Sequence, residues 1–186
     1  STIAKYSGGA WSTLTPGGDA VTARTRTCGG VYDSKLYIVS GDSNNSFTVS
    51  KKLDVFDPAT GNYTNLTDCG TARAGASAVV YQSPADSKWY MMLAGGSTAS
   101  AGGYLKTVER YDFAAGTWSN LNDMANTKRY FLLVWDGGNY IYSFGGYNGS
   151  DRAYVERYDI TAGTWSTLTA MSSARRAHLG WYDTSR

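Results

Sequence analysis

Tyr158-Asp159-Ile160-Thr161-Ala162-Gly163-Thr164-Trp165-Ser166-Thr167-Leu168 decides the fold, because the stretch recurs along the chain. It returns as Tyr111-Asp112-Phe113-Ala114-Ala115-Gly116-Thr117-Trp118-Ser119-Asn120-Leu121, and more loosely as Phe56-Asp57-Pro58-Ala59-Thr60-Gly61-Asn62-Tyr63-Thr64-Asn65-Leu66. In each copy glycine follows aspartate by four residues, an aromatic ring by six and leucine by nine. Trp11-Ser12-Thr13-Leu14 is the tail of a fourth copy. Each copy reads as strand, tight turn, strand. Aspartate opens the turn by accepting bonds from nearby backbone N–H groups. Pro58 presets φ at the first corner, and glycine supplies a φ > 0 position. The unit is an antiparallel hairpin with a loop of about four residues.

Upstream of each hairpin a second strand runs into glycine: Tyr140 to Phe144 into Gly145-Gly146, Tyr90 to Ala94 into Gly95-Gly96, and Leu36 to Ser40 into Gly41 alone. Further upstream an arginine precedes a small or apolar run, at Arg73, Arg129 and Arg175. Measured from leucine to leucine, the period is 52, 55 and 47 residues. A period of roughly 50 residues with four strands points to propeller blades rather than a helical solenoid. The chain resembles the kelch repeat in its glycine pair, its Glu-Arg-Tyr-Asp segment (Glu109 to Asp112, Glu156 to Asp159) and its Trp six residues past Asp. The first copy departs from that pattern, with Ser40-Gly41 for the glycine pair and Tyr63 for Trp. The sialidase-type Asp-box is set aside, since its glycine follows aspartate by two residues and here it follows by four.

The resemblance implies an all-β fold of kelch-type propeller blades, each a four-stranded antiparallel sheet. Residues 1–186 read as a single propeller domain or segment, with a partial blade at 1–14, full blades at 22–66, 73–121 and 128–168, and a partial blade at 175–186. Propellers typically have about 4–8 blades. The expectation is therefore an incomplete ring, a segment of a longer chain, or a small ring completed by both termini or by another chain.

Composition sets bounds on function. The chain has 186 residues with 15 Tyr, 6 Trp and 22 Gly, and 17% of its residues are charged. A net charge of +2 is far from the basic signature of a nucleic-acid binder. There is no apolar run of about 18 residues, and so no membrane span is expected. The N-terminal Ser1-Thr2-Ile3-Ala4-Lys5 reads neither as a signal peptide nor as a native start.

Six arginines before the inner strands form the most suggestive group: Arg24, Arg26, Arg73, Arg129, Arg175 and Arg176. In a radial array they recur at one end of the channel. There they bind carboxylates, phosphates or acidic peptides, or pair with neighbouring blades. Tyr104, Tyr147 and Tyr154 lie in the long loops, where they stack on a sugar, anchor a peptide or pack turns. Glu109-Arg110 and Glu156-Arg157 read as inter-blade ion pairs.

His178 is the one histidine, too few ligands for the copper site of kelch-like oxidases. No cofactor and no metal are expected. Cys28 and Cys69 are either two reduced thiols or a disulfide between adjacent blades. Sequons at Asn44, Asn62, Asn65 and Asn148 are weak matches, with Asn44 and Asn148 in loops suited to a glycan. They lean the reading mildly towards an extracellular or cell-envelope setting. The leading functional reading is a non-enzymatic interaction module or scaffold for a protein partner, another copy of itself, or a polymer. The alternatives are a carbohydrate-binding or carbohydrate-processing domain, and a structural repeat unit of an extracellular assembly.

Overall fold

The computed structural model describes residues 3–20, 23–43 and 47–182, and every regular element among them is a β-strand. Strands β1 (Ile3–Ser7) and β2 (Ala10–Leu14) form an N-terminal hairpin. The two-residue β3 (Gly17–Gly18) follows. The first full sheet contains β4 (Cys28–Tyr32) and β5 (Lys35–Val39). A small ribbon, β6 (Asp42–Ser43) with β7 (Thr48–Val49), leads from there to β8 (Leu53–Asp57) and β9 (Asn62–Asn65). The second sheet is β10 (Ser77–Gln82), β11 (Trp89–Ala94), β12 (Val108–Asp112) and β13 (Thr117–Leu121). The third is β14 (Leu132–Trp135), β15 (Tyr140–Phe144), β16 (Val155–Asp159) and β17 (Thr164–Thr167). Strand order in the second and third sheets follows the chain, inner to outer.

The repeated residues explain the hairpins. Asp57, Asp112 and Asp159 each turn one carboxylate oxygen onto a backbone N–H two or three residues ahead, at 2.8–2.9 Å. Their carbonyls accept from Gly61, Gly116 and Gly163 N–H at 2.8–2.9 Å. Register then sets ring against ring across the hairpin, Tyr111 on Trp118 and Tyr158 on Trp165, with centroids 5.2 Å apart. Each indole also reaches the preceding blade. Trp118 Nε1 donates to the Thr67 carbonyl at 2.8 Å and Trp165 Nε1 to the Asn122 carbonyl at 2.9 Å, both just after the leucine of the previous copy. Tyr63 occupies this place in the first copy and has no ring N–H. There the edge is held differently: β3 pairs in parallel with β9, where a loop was expected at residues 16–19. Glycine permits that approach, since a Cβ on Gly18 would lie 2.2 Å from the Tyr63 carbonyl oxygen.

Two apolar clusters fill the spaces between blades. Val39, Leu53, Met91, Leu93 and Tyr111 join the first sheet to the second. Tyr81, Tyr90, Met92, Leu133, Ile141 and Tyr158 join the second to the third.

Charge fixes the connecting segments. Four residues before each inner strand stands a cation: Arg24, Arg73 and Lys128. Each pairs with the acid at the second position of the third strand of its own sheet, Asp54, Glu109 and Glu156. All three pairs are buried. Burial pulls the Lys128 ammonium below its usual pKa against the opposing pull of Glu156. Burial likewise pushes Asp54 up against the pull of Arg24. These pairs stay within a sheet, which corrects the expectation that Glu109-Arg110 and Glu156-Arg157 make inter-blade ion pairs. Arg110 and Arg157 instead lie over the Tyr90 and Tyr140 rings at 4.2 and 4.4 Å.

Backbone bonds tie sheet to sheet. Gly41, Gly96 and Gly146 N–H donate at 2.9 Å to the carbonyls of Arg73, Lys128 and Arg175. Gly75 N–H donates to Arg26, Tyr130 N–H to Gly75 and Ala177 N–H to Tyr130, at 2.8–2.9 Å. Arg175 thus takes the place of a fourth cation, but residues 175–182 form no strand. No second strand among the described residues offers itself to this segment, so the expected inner strand there is corrected to irregular chain. The sheets form an open arc, with β4, β10 and β14 side by side.

Replacing Glu109 by alanine leaves the Arg73 guanidinium buried without its counter-ion. Urea titration should show a loss of about 3–5 kcal/mol of unfolding free energy. Asp123→Ala, which removes the surface Lys106–Asp123 pair at 3.8 Å, should change it by less than about 1 kcal/mol. Equal losses for the two variants would contradict the reading.

Candidate functional site

The connecting segments converge at the end of the arc where the inner strands begin. Two residues past each cation the chain enters the left-handed region, with φ of +53° at Arg26, +64° at Gly75, +55° at Tyr130 and +51° at Ala177. Non-glycine residues visit that region rarely. Here the blade-to-blade backbone bonds hold three of them in it. Gly75 has a second reason to be glycine: a Cβ there would lie 2.6 Å from Tyr130 Cε1. The missing side chain lets the Tyr130 ring lie over the neighbouring blade.

Alternation along the chain then separates adjacent cations. Lys128 points inwards to Glu156, and Arg129 points the other way. Its backbone exchanges two hydrogen bonds with Tyr147, of 3.0 and 2.8 Å. Its guanidinium carbon lies 4.9 Å from the ring centre of Tyr130, 5.4 Å from those of Tyr104 and Tyr147, and 5.5 Å from that of Phe47. Nε and Nη1 of Arg129 are buried with no hydrogen-bond partner among the described residues. Among the described residues the cation is met by aromatic rings, drawn from the loops of all three sheets.

Two further arginines flank this seat. Arg26 makes a two-point pair with Asp42 and lies 4.8 Å from the Phe47 ring. Arg176 sits 3.4 Å from Asp151 and 4.4 Å from the Tyr147 ring. Both keep carboxylate partners. Among the described residues Arg129 has none, and its planar fork is matched to a carboxylate or similar oxyanion.

The other candidate residues fall elsewhere. Arg24 and Arg73 are consumed by their buried acids and offer nothing to a ligand. Arg175 is exposed and borders a groove of about 460 Å³ on the third sheet, with Leu132, Phe144, Met171 and His178. Burial lowers the His178 pKa. Tyr154 stands apart from the seat, with the Arg152 guanidinium 5.7 Å from its ring. Asn44 lies outside the described residues. The Asn148 side-chain nitrogen, the atom a glycan would take, donates to the Thr127 carbonyl at 3.0 Å. That engagement runs against the glycan reading at this position. Among the described residues no group of three or more His, Cys, Asp or Glu side chains is placed to hold a metal. Phe47 and Tyr130 belong to the seat and were not singled out from the sequence. The one available signal for Tyr130 was its place beside Arg129, before an inner strand.

The family model described as Attractin/LZTR1 beta-propeller matches residues 2–182. Among solved structures the chain is similar to YjhT, with 18% identity and a TM-score of 0.69 over 90% of this chain. It spans 57% of the YjhT chain. At that identity the likeness shows the fold. A search among curated proteins returned no match.

Cys28 and Cys69 are free thiols, not a disulfide. Cys28 faces the Val39 carbonyl and the Ser40 hydroxyl, while Cys69 donates to the Thr71 carbonyl at 3.3 Å. Burial pushes their pKa values up to about 11 and about 12. A thiolate is the reactive form, so the native thiols should react slowly with a disulfide reagent at pH 8. Both should react rapidly once the chain is unfolded in urea. Fast labelling of the native protein at pH 8 would overturn this assignment.

Proposed function

The chain belongs to the Attractin/LZTR1 β-propeller family, and on that premise we propose that it is a non-enzymatic interaction module that binds a protein partner through the Arg129 seat. The partner supplies an Asp or Glu side chain, or a terminal carboxylate. The observation that carries this reading is the Arg129 guanidinium, ringed by Phe47, Tyr104, Tyr130 and Tyr147 with two nitrogens buried and unpaired among the described residues. Arg129 keeps part of its surface exposed, and a carboxylate that reaches the guanidinium there supplies the charge-assisted partner that the described residues lack. The rings add area around the ion pair and exclude water from it. Aromatic and arginine side chains in such settings dominate binding energy.

The flanking pairs favour a macromolecule over a free small anion. Arg26–Asp42 and Arg176–Asp151 present both signs of charge beside the seat, which suits a polar rim around one buried anchor.

The test uses a glutamate-rich decapeptide and a lysine-rich decapeptide, titrated by calorimetry at low and at high salt. The glutamate peptide should bind, more weakly as salt rises, and the lysine peptide should not. Arg129→Gln should weaken binding by about tenfold or more with the melting curve preserved, the loss expected for a charge-assisted pair. Arg152→Gln, outside the seat, should leave it unchanged. Equal affinity of Arg129→Gln and the parent chain would overturn the proposal.

A further inference from the structure

At the opposite end of the arc, where β10 turns into β11 and β14 into β15, a second and different surface forms. Four aromatic residues run across three sheets there. Tyr32 stacks on Phe113 with centroids 4.1 Å apart, and Trp89 lies 6.0 Å from both Tyr32 and Trp135. Trp89 is 37% exposed. Beside Trp135, between residues 82–89 and 135–140, lies a cavity of about 130 Å³. Its walls are Gln82, Ser83, Pro84, Ser87, Trp135, Gly137 and Gly138.

None of those walls carries a charge, in contrast to the arginine seat at the other end. The loop is stiffened from within. Ser87 N–H donates to the Ser83 carbonyl at 2.8 Å, Ser83 N–H to the Lys88 carbonyl at 2.9 Å, and Gln82 Nε2 to the Ser87 carbonyl at 2.9 Å. Trp135 Nε1 is spent on the Gly138 carbonyl at 2.8 Å, which fixes the indole; the ring packs on the core and against Trp89, and its remaining surface borders the cavity. The Gln82 side-chain oxygen, the Ser87 hydroxyl and the Gly137 N–H make no hydrogen bond to the described protein.

From this we infer a binding site for one neutral pyranose ring, seated against Trp135 between the two loops. The cavity is well below the roughly 300–1,000 Å³ that holds a drug-sized ligand, and so it suits a single ring. A pyranose has an apolar C–H face for the electron-rich indole and a rim of hydroxyls for the free oxygen, hydroxyl and N–H. An ionised ligand would meet no counter-charge on the walls. A plain hydrocarbon would leave three polar groups without partners. The site is independent of the Arg129 seat in position and in chemistry.

The test is saturation-transfer NMR with methyl β-D-glucopyranoside, methyl α-D-mannopyranoside and methyl β-D-galactopyranoside, with D-glucuronate as the charged comparison. At least one neutral glycoside should receive saturation through its ring C–H protons, more strongly than glucuronate. Trp135→Leu should abolish the signal. Gln82→Ala, which leaves the indole in place, should weaken binding several-fold, and Arg129→Gln should leave it unchanged. Absence of transfer to all three glycosides would overturn the inference. So would undiminished transfer in folded Gln82→Ala together with folded Trp135→Leu.

Discussion

A buried cation facing a buried acid holds each connecting segment to the third strand of its own sheet. Arg24–Asp54, Arg73–Glu109 and Lys128–Glu156 are three versions of one contact. Such pairs add little net stability over well-packed apolar residues, because desolvation cancels most of the attraction. Their value here is positional. Glu109 also accepts from the Thr71 N–H, and Glu156 from the Asn126 N–H, so the acid gathers the whole incoming segment. With the cation pinned, the residue two places on is delivered to the blade-to-blade backbone bonds in the left-handed region. The residue between them leaves the acid's side of the chain, exposed at Thr25 and Arg176, half-buried at Arg129 and buried at Ala74.

That intervening position is where the blades diverge. It is Thr25 in the first blade, Ala74 in the second, Arg129 in the third and Arg176 after it. One scaffold therefore varies the residue at an equivalent position from blade to blade. The loops between second and third strands, carrying Phe47, Tyr104 and Tyr147, close round Arg129. The opposite end of the arc is built on turns and carries indoles and amides instead. The two ends differ in chemistry because the repeated buried cations precede the inner strands, while Trp89 and Trp135 lie where those strands turn into the second ones.

The hairpins were legible in the sequence because their residues answer to local backbone demands. Asp-x3-Gly closes a turn within the copy, and the ring that opens the next strand packs straight back across the hairpin. The acids of the repeated Glu-Arg-Tyr-Asp segment were visible too, but their cations are 36 and 28 residues away, and Lys128 stands where Arg73 does. In the first blade Asp54 replaces glutamate, 30 residues from Arg24, so neither partner shows the repeat. Ser40 was read as a departure from a glycine pair. It adopts φ of +60°, beside +59° at Gly95 and +64° at Gly145, so the backbone kept its form while the residue changed. The arginine seat was half visible. Arg129, Tyr104 and Tyr147 were named from their places, whereas Phe47 and Tyr130 join them through contacts between blades that no local pattern encodes.

The Arg129 side-chain N–H resonance offers the most direct measurement. Four rings around the guanidinium, with Nε buried, should shift the Nε–H proton well upfield of a solvent-exposed arginine and slow its exchange with water. Addition of the glutamate-rich peptide should then move that resonance before any other arginine signal responds. A resonance at the exposed position, exchanging freely and indifferent to the peptide, would contradict the account.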